Sequence, residues 1–119
     1  IITDPYLFKE SKNKKEDDEY CNILAKIIMK AKAKSIRVIT NYRNYNNDIH
    51  KKIENKLTQD IKIIWNDDFH DRFWIADRKK GFYTGTSING LGKRITLINL
   101  LSKDEVKIII DELNKKECL

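Results

Sequence analysis

Segments with the pattern of buried strands alternate along this chain with segments that have the pattern of amphipathic helices. Short apolar runs rich in β-branched residues occupy residues 35–40 and 61–65, as is typical of strands buried in a sheet. Between such runs, apolar residues recur at the spacing of one helix face. Strands joined by helices imply a partly parallel sheet with right-handed crossovers. The sequence therefore predicts an α/β fold in which a mixed sheet is covered by helices on both faces.

The predicted elements follow the order β-α-β-α-β-β-β-β-α. The predicted strands are residues 1–8, 35–40, 61–65, 69–77, a strand that ends near residue 84, and a buried strand at 95–101. The first helix is expected at residues 17–34, where acidic residues at the start and lysines at the end suit the helix dipole. Asn47 or Asp48 can cap the second helix. Ser102 and Glu105 form a capping-box pattern that opens the last.

Reactive side chains are concentrated in two nearby segments. Residues 70–77 have the spacing His-x-Arg-x-x-x-x-Asp, and residues 85–89 read Gly-Thr-Ser-Ile-Asn. An imidazole can attack phosphorus and later leave, provided that cations and fixed donors neutralise charge on the transferring oxygens. On a strand, His70 and Arg72 would share one face, and Phe73 and Ile75 would lie on the other, in the core. The turn at residues 84–90 would then complete a phosphate-sized pocket.

The two segments resemble the active-site motif of the phospholipase D superfamily, with Arg72 at the position of the family's Lys. The resemblance covers nearly the whole chain, as one half of a phospholipase D-type fold. It implies a catalytic group and a phosphate-binding group. The catalytic group is the nucleophile His70, Asp77 or Asp71 orienting it, and Arg72; Ser87 and Asn89 bind the phosphoryl oxygens.

The family's active site needs two motifs facing each other, because one His attacks while the other protonates the leaving group. This chain contains one such motif. Small bacterial nucleases that the sequence resembles bring two copies together by dimerising about a two-fold axis. The resemblance therefore implies a homodimer. It also extends to a phospholipase D-like group in bacterial and phage-associated proteins, often attached to DNA-binding or defence modules.

Lys93 and Arg94 follow the second segment within the run Gly-Leu-Gly-Lys-Arg. Lys93 could supply the mobile cation that Arg72 replaces less well, and Arg94 could join it on the phosphate. Alternatively, both are solvated residues at the turn into the next strand.

Two classes of function remain open from the sequence. The first is a metal-independent phosphodiesterase, most simply a nuclease that acts through a covalent phosphohistidine. The second is a non-catalytic module that binds nucleic-acid or phosphoinositide phosphate or dimerises a longer protein. Arg72 separates them, because arginine is a permanent bidentate phosphate clamp whereas lysine is a compact point charge. A Lys-to-Arg change preserves binding better than turnover.

Length and composition indicate the number of domains, the class of binding partner and the cellular compartment. The 119 residues suit one domain (residues 1–119), which we expect to be the C-terminal part of a longer chain because the first residues already have a strand pattern. The net charge of +6 favours a polyanion, either nucleic acid or anionic lipid. The chain has no run that approaches a membrane span of about 20 apolar residues. Two cysteines without a disulfide or zinc spacing suggest a reducing cytoplasm. We expect neither a metal nor an organic cofactor.

Aromatic residues offer a second possible contact with nucleic acid. Tyr42 and Tyr45 flank Arg43 in a polar loop and could stack on bases, although they could also only close the loop. Trp65 and Trp74 lie in apolar strands and are predicted to belong to the core. His50 is predicted to be a surface residue.

Overall fold

The computed structural model describes residues 1–88 and 95–119, and its elements follow the predicted order. The strands are β1 (Ile2–Thr3), β2 (Ile36–Thr40), β3 (Ile61–Trp65), β4 (Arg72–Ala76), β5 (Lys80–Thr84) and β6 (Ile98–Leu100). The helices are α1 (Lys14–Lys30), α2 (Asn47–Glu54) and α3 (Lys103–Lys115). None of these helices combines the length and the apolar composition that crossing a membrane requires.

The six strands form one mixed sheet in the order β3-β2-β1-β4-β5-β6. β1, β2 and β3 are mutually parallel, because helical crossovers connect them. β4 is antiparallel to β1, and β4, β5 and β6 then form an antiparallel meander. The prediction of an α/β fold with a mixed sheet is confirmed.

Side-chain caps fix where each helix begins. The Asn13 side chain accepts from the backbone N–H groups of Lys15 and Glu16, so α1 begins and ends earlier than the predicted residues 17–34. Asn46, rather than Asn47 or Asp48, caps α2. The predicted capping box of α3 is confirmed: Ser102 accepts from the Glu105 N–H, and the Glu105 carboxylate accepts from the Ser102 N–H.

Two clusters of buried side chains pack the helices onto the sheet. The larger cluster joins α1 and α2 to strand residues that include Val38 and Trp74. The smaller cluster contains Ile39 and Leu113 of α3, with Ile64 and Ile109 against it. Val38 and Ile39 are consecutive residues of β2, and consecutive side chains of a strand point to opposite faces of its sheet.

Three predicted strand ranges are wrong in extent or environment. β1 ends at Thr3 instead of residue 8, because Pro5 has no N–H to continue a ladder and the Asp4 carboxylate turns back to accept the Tyr6 N–H. β4 begins at Arg72, so strand alternation does not extend to His70. The last strand, β6, spans three residues instead of the predicted 95–101. It is exposed and not buried, because it is an outermost strand of the sheet.

Individual aromatic and histidine predictions also change. Trp74 is buried, as predicted, but Trp65 is 47% exposed because it ends β3, a strand at the other edge of the sheet. His50 is not a free surface residue, since its side chain is only 16% exposed. The His50 Nδ1 atom lies 2.8 Å from the Tyr45 hydroxyl, and Nε2 lies 2.9 Å from a Glu54 carboxylate oxygen. Phe73, predicted to be in the core, is half-buried, whereas Ile75 is fully buried.

Candidate functional site

The two motif segments meet at the end of the sheet where β1, β2 and β3 have their carboxyl ends, which we call the carboxyl edge. Because β4 runs antiparallel to β1 and to β5, its amino end lies beside the carboxyl ends of both neighbours. Arg72 pairs directly with Thr84, the last residue of β5. Residues 70–72 and 85–87 therefore lie side by side, where the carboxyl ends of β1, β2 and β3 also emerge. Open α/β sheets commonly bind ligands at this edge.

Arg72 occupies the centre of this edge. On one side it pairs with Thr84, and on the other the pairing of Phe73 with Thr3 brings Arg72 opposite Asp4. The guanidinium carbon lies 5.5 Å from the centroid of the Tyr6 ring. The Arg72 Nε–H is buried and has no hydrogen-bond acceptor among the described residues. A buried donor left without an acceptor costs about 1–3 kcal/mol, so this position favours an anionic oxygen.

Asp4 is the residue of this site that the sequence interpretation missed. Its side chain is fully buried, with one carboxylate oxygen 2.7 Å from the Ser87 hydroxyl and 3.2 Å from the Ile88 N–H, both of which donate to it. The other oxygen accepts the Tyr6 N–H at 2.9 Å. The available signal was an Asp-Pro pair directly after the first apolar run, at the carboxyl end of a strand.

The contact between Asp4 and Ser87 changes the expected role of the serine. Ser87 is buried and donates its only hydroxyl hydrogen to Asp4, so that hydrogen is engaged within the protein. The contact ties the turn after β5 to the end of β1. Ser87 thus shapes the edge beside Arg72, and a bound phosphate would receive its hydroxyl hydrogen only if Asp4 gave it up.

Gly85 opens the same turn. Its N–H donates to the Leu97 carbonyl at 3.0 Å, and a Cβ atom at this position would lie 2.9 Å from the Thr96 hydroxyl oxygen. The close approach at Gly85 is therefore to the segment that leads into β6. This contact within the protein accounts for a glycine at position 85.

The backbone that carries His70 and Asp71 is held in place by Thr3 of β1. The buried Thr3 hydroxyl donates to the Asp71 carbonyl at 2.9 Å and accepts the Phe73 N–H at 2.9 Å. Both the His70 and the Asp71 side chains are exposed. Thr3 therefore fixes the path of the chain on both sides of Arg72 and leaves the His70 imidazole accessible.

Asp77 does not lie near His70. It follows the last residue of β4 and begins the hairpin turn to β5, with a φ of 53°, and the Lys79 N–H closes that turn on the Ala76 carbonyl at 3.0 Å. Asp77 lies five positions after Arg72, which is about 16 Å along an extended strand at 3.3 Å per residue. Within one chain, Asp77 therefore cannot orient His70. Of the two expected acids, only Asp71 is adjacent to it.

The remaining expected phosphate ligands, Asn89, Lys93 and Arg94, lie outside the described residues. Among residues 1–88 and 95–119, no group of three His, Cys, Asp or Glu side chains is arranged to hold a metal ion. Comparison of the chain with protein-family models, with curated proteins and with solved structures gave no match.

The burial of Asp4 predicts an unusual dependence of stability on pH. Burial raises the pKa of Asp4 above its ordinary 3.8, and the hydrogen bonds from Ser87, Tyr6 and Ile88 and the charge of Arg72 oppose only part of this rise. The stabilisation from the neutral carboxyl is fully present below 3.8 and is lost as the pH rises through the folded-state pKa. We expect the free energy of unfolding of the wild type to fall across this window relative to that of Asp4→Asn.

Urea unfolding at a series of pH values measures this effect. Exposed acids with lowered pKa values, such as Asp68 beside Lys116, act in the opposite direction and are common to both proteins. The difference between wild type and Asp4→Asn therefore isolates Asp4. Parallel curves for the two proteins would show that Asp4 titrates normally in the fold.

Proposed function

We propose that this chain is a phosphodiesterase, specifically a nuclease that needs no metal and acts as a symmetric dimer through a covalent phosphohistidine. The observation that carries the proposal is the convergence of His70 and Arg72 with the turn after β5, where the Arg72 Nε–H is buried without an acceptor. A phosphate oxygen is the acceptor that arginine binds best.

The architecture supports the same proposal. Neighbouring residues of β2 belong to different clusters, one with α1 and α2 and the other with α3, which agrees with helices on both faces of the sheet. Together with the element order, this arrangement supports one half of a phospholipase D-type fold. The buried free thiols of Cys21 and Cys118 are compatible with a reducing cytoplasm.

In the proposed reaction, a His70 nitrogen attacks phosphorus and forms a phosphorus–nitrogen bond while the bond to the leaving oxygen breaks. His70 of the partner subunit protonates that oxygen and is left neutral. It then takes a proton from a water that attacks phosphorus, the phosphorus–nitrogen bond breaks, and the phosphate product is released. Arg72 holds the phosphoryl oxygens during both displacements. A dimer is required because each chain supplies only one His70. Asp71 is the acid nearest to His70 in sequence.

A second function, phosphate binding without catalysis, is favoured by two specific features. Arg72 clamps a phosphate but is a poorer mobile cation than lysine. The Ser87 hydroxyl is engaged by Asp4. Either nucleic acid or an anionic lipid headgroup could supply the phosphate, and the module could also serve to dimerise a longer protein.

Incubation of the protein with labelled single- and double-stranded DNA and RNA in EDTA tests the choice. We expect cleavage of at least one substrate to persist in EDTA, because His70 and its phosphate ligands supply the chemistry. Binding of the same substrates without cleavage would instead establish the non-catalytic module. If the protein neither cleaves nor binds the oligonucleotides and does not bind anionic vesicles, both proposals are overturned.

A further inference from the structure

Three aromatic side chains form a partly exposed surface at the carboxyl edge of the sheet, where Arg72 also lies. The aromatic surface consists of Tyr42, Tyr45 and Trp65. Tyr42 is 74% exposed and Trp65 is 47% exposed. The Tyr42 and Tyr45 rings are nearly parallel with centroids 6.4 Å apart, and Trp65 contacts both edge-on at 5.3 and 5.0 Å. Tyr42 and Trp65 are therefore exposed to solvent, whereas Tyr45 is partly buried and packs against the core.

Tyr45 anchors the aromatic surface to the protein. Its ring packs edge-on against the buried Phe8 at 5.7 Å, and its hydroxyl lies 2.8 Å from His50 Nδ1 and 3.1 Å from the Asn47 side-chain oxygen. The His50 ring is in turn 2.9 Å from Glu54. Tyr45 is therefore held in place, and it supports Tyr42 and Trp65 in their exposed positions.

The strand register places Trp65 and Arg72 on one face of the sheet. Trp65 pairs with Thr40, and Val38 and Trp74 both pair with Ile2. Paired residues and residues two apart in a strand share a face, so Trp65 and Arg72 emerge on the same side. Three strand spacings of about 4.8 Å separate β3 from β4, a span of about 14 Å. This distance is bridged by a few linked nucleotides, within the sites that single-strand-binding grooves cover.

Cations lie along the same edge. Lys9 Nζ and the Arg72 guanidinium each lie 5.5 Å from the centroid of Tyr6. Beside the aromatic surface, the 76% exposed side chain of Arg43 pairs with Asp67 at 3.6 Å. Such an exposed pair contributes little to stability, so Arg43 can exchange that partner for a phosphate. The other acid of this loop, Asp68, is already paired with Lys116 at 2.9 Å.

We propose that the aromatic surface of Tyr42, Tyr45 and Trp65 stacks unpaired bases of a single-stranded nucleic acid whose phosphate is bound at Arg72. This inference rests on the proposed function, because it takes the phosphate at Arg72 as its fixed point. Stacking requires bases with free faces, which a duplex hides within its own stack. The aromatic surface therefore selects single strands over duplexes and is tolerant of sequence, since every base has a face to stack.

The test measures binding with cleavage removed by His70→Ala. A labelled single-stranded oligodeoxythymidylate, the same-length abasic strand and a duplex are titrated against this protein and against versions carrying Tyr42→Ala or Trp65→Ala. We expect each aromatic substitution to weaken single-strand binding by about 10- to 100-fold. Binding of the abasic strand and of the duplex should change little. Ile108→Ala, which removes an exposed apolar side chain from α3, is the matched control and should have no effect.

Fluorescence provides a second readout. Of the two tryptophans, Trp74 is buried and Trp65 is exposed, so bound bases should quench Trp65 emission. Trp65→Phe should remove the quenching and retain most of the affinity. If Trp65→Ala fails to fold, Tyr42→Ala still decides the matter because Tyr42 is mostly exposed. Equal binding of the normal and abasic strands by the parent protein would overturn the inference.

Failure of this inference and failure of the proposed function give different results. If Arg72→Ala weakens binding of all three ligands and the aromatic substitutions weaken none, phosphate binding stands and base stacking is overturned. If the aromatic substitutions weaken only single-strand binding but Arg72→Ala leaves every affinity unchanged, bases do stack, but the phosphate at Arg72 and the inference built on it are overturned.

Discussion

His70→Ala is expected to reduce metal-free cleavage by about three decades or more while binding of the substrate persists. The substitution removes the atom that forms the bond to phosphorus and also the proton donor for the partner's half of the site, and losing a unit of this kind is far larger than losing one contact. Because the His70 side chain is exposed, Ala at this position should leave the fold intact. Cleavage rates and circular dichroism melting curves measure the two effects.

Mixing experiments extend the same prediction to the dimer. When subunits of wild type and His70→Ala exchange freely, only dimers with two histidines complete the reaction, so total activity should fall with the square of the wild-type fraction. A linear dependence would show that one chain is sufficient. Unchanged cleavage by pure His70→Ala would place the chemistry elsewhere in the protein.

Lys93→Ala is expected to lower turnover by about one to two decades while most of the binding is retained. One of the two interpretations of Lys93 from the sequence makes it the mobile cation that follows phosphorus through inversion, whereas Arg72 holds the phosphate in place. One charge-assisted contact contributes about 1.5–3 kcal/mol, or about one to two decades in affinity or rate. Arg72→Lys should then keep or raise the cleavage rate, because it restores a compact charge beside His70.

A single metal-free assay that records both binding and cleavage compares the two substitutions. Lys107→Ala is the matched control, because it removes the same charge from an exposed position on α3. Full activity in Lys93→Ala would exclude Lys93 as the mobile cation. Arg72→Lys that weakens binding, with no measurable cleavage in any of these proteins, would favour the non-catalytic module.

Local patterns in the sequence determined the kind and order of the elements. The apolar run Ile61–Trp65 is a strand with the predicted bounds, and the capping box at Ser102 opens α3. Both features depend on residues within one turn or one strand, where side-chain period and capping groups act directly on the backbone. The adjacency of the two motif segments was also predictable, because a hairpin joins β4 to β5.

Only the tertiary structure decided which residues surround Arg72 and which aromatic residues are exposed. Asp4 reaches Ser87 across 83 positions of sequence, and Trp65 is exposed because β3 lies at an edge of the sheet. Asp77 is separated from His70 because β4 is extended, although the two residues are close in sequence. The physical reason is that periodicity assigns a side chain to one face of its own strand. The neighbours of that strand, and hence burial, charge and ligand contacts, are set by pairing between distant segments.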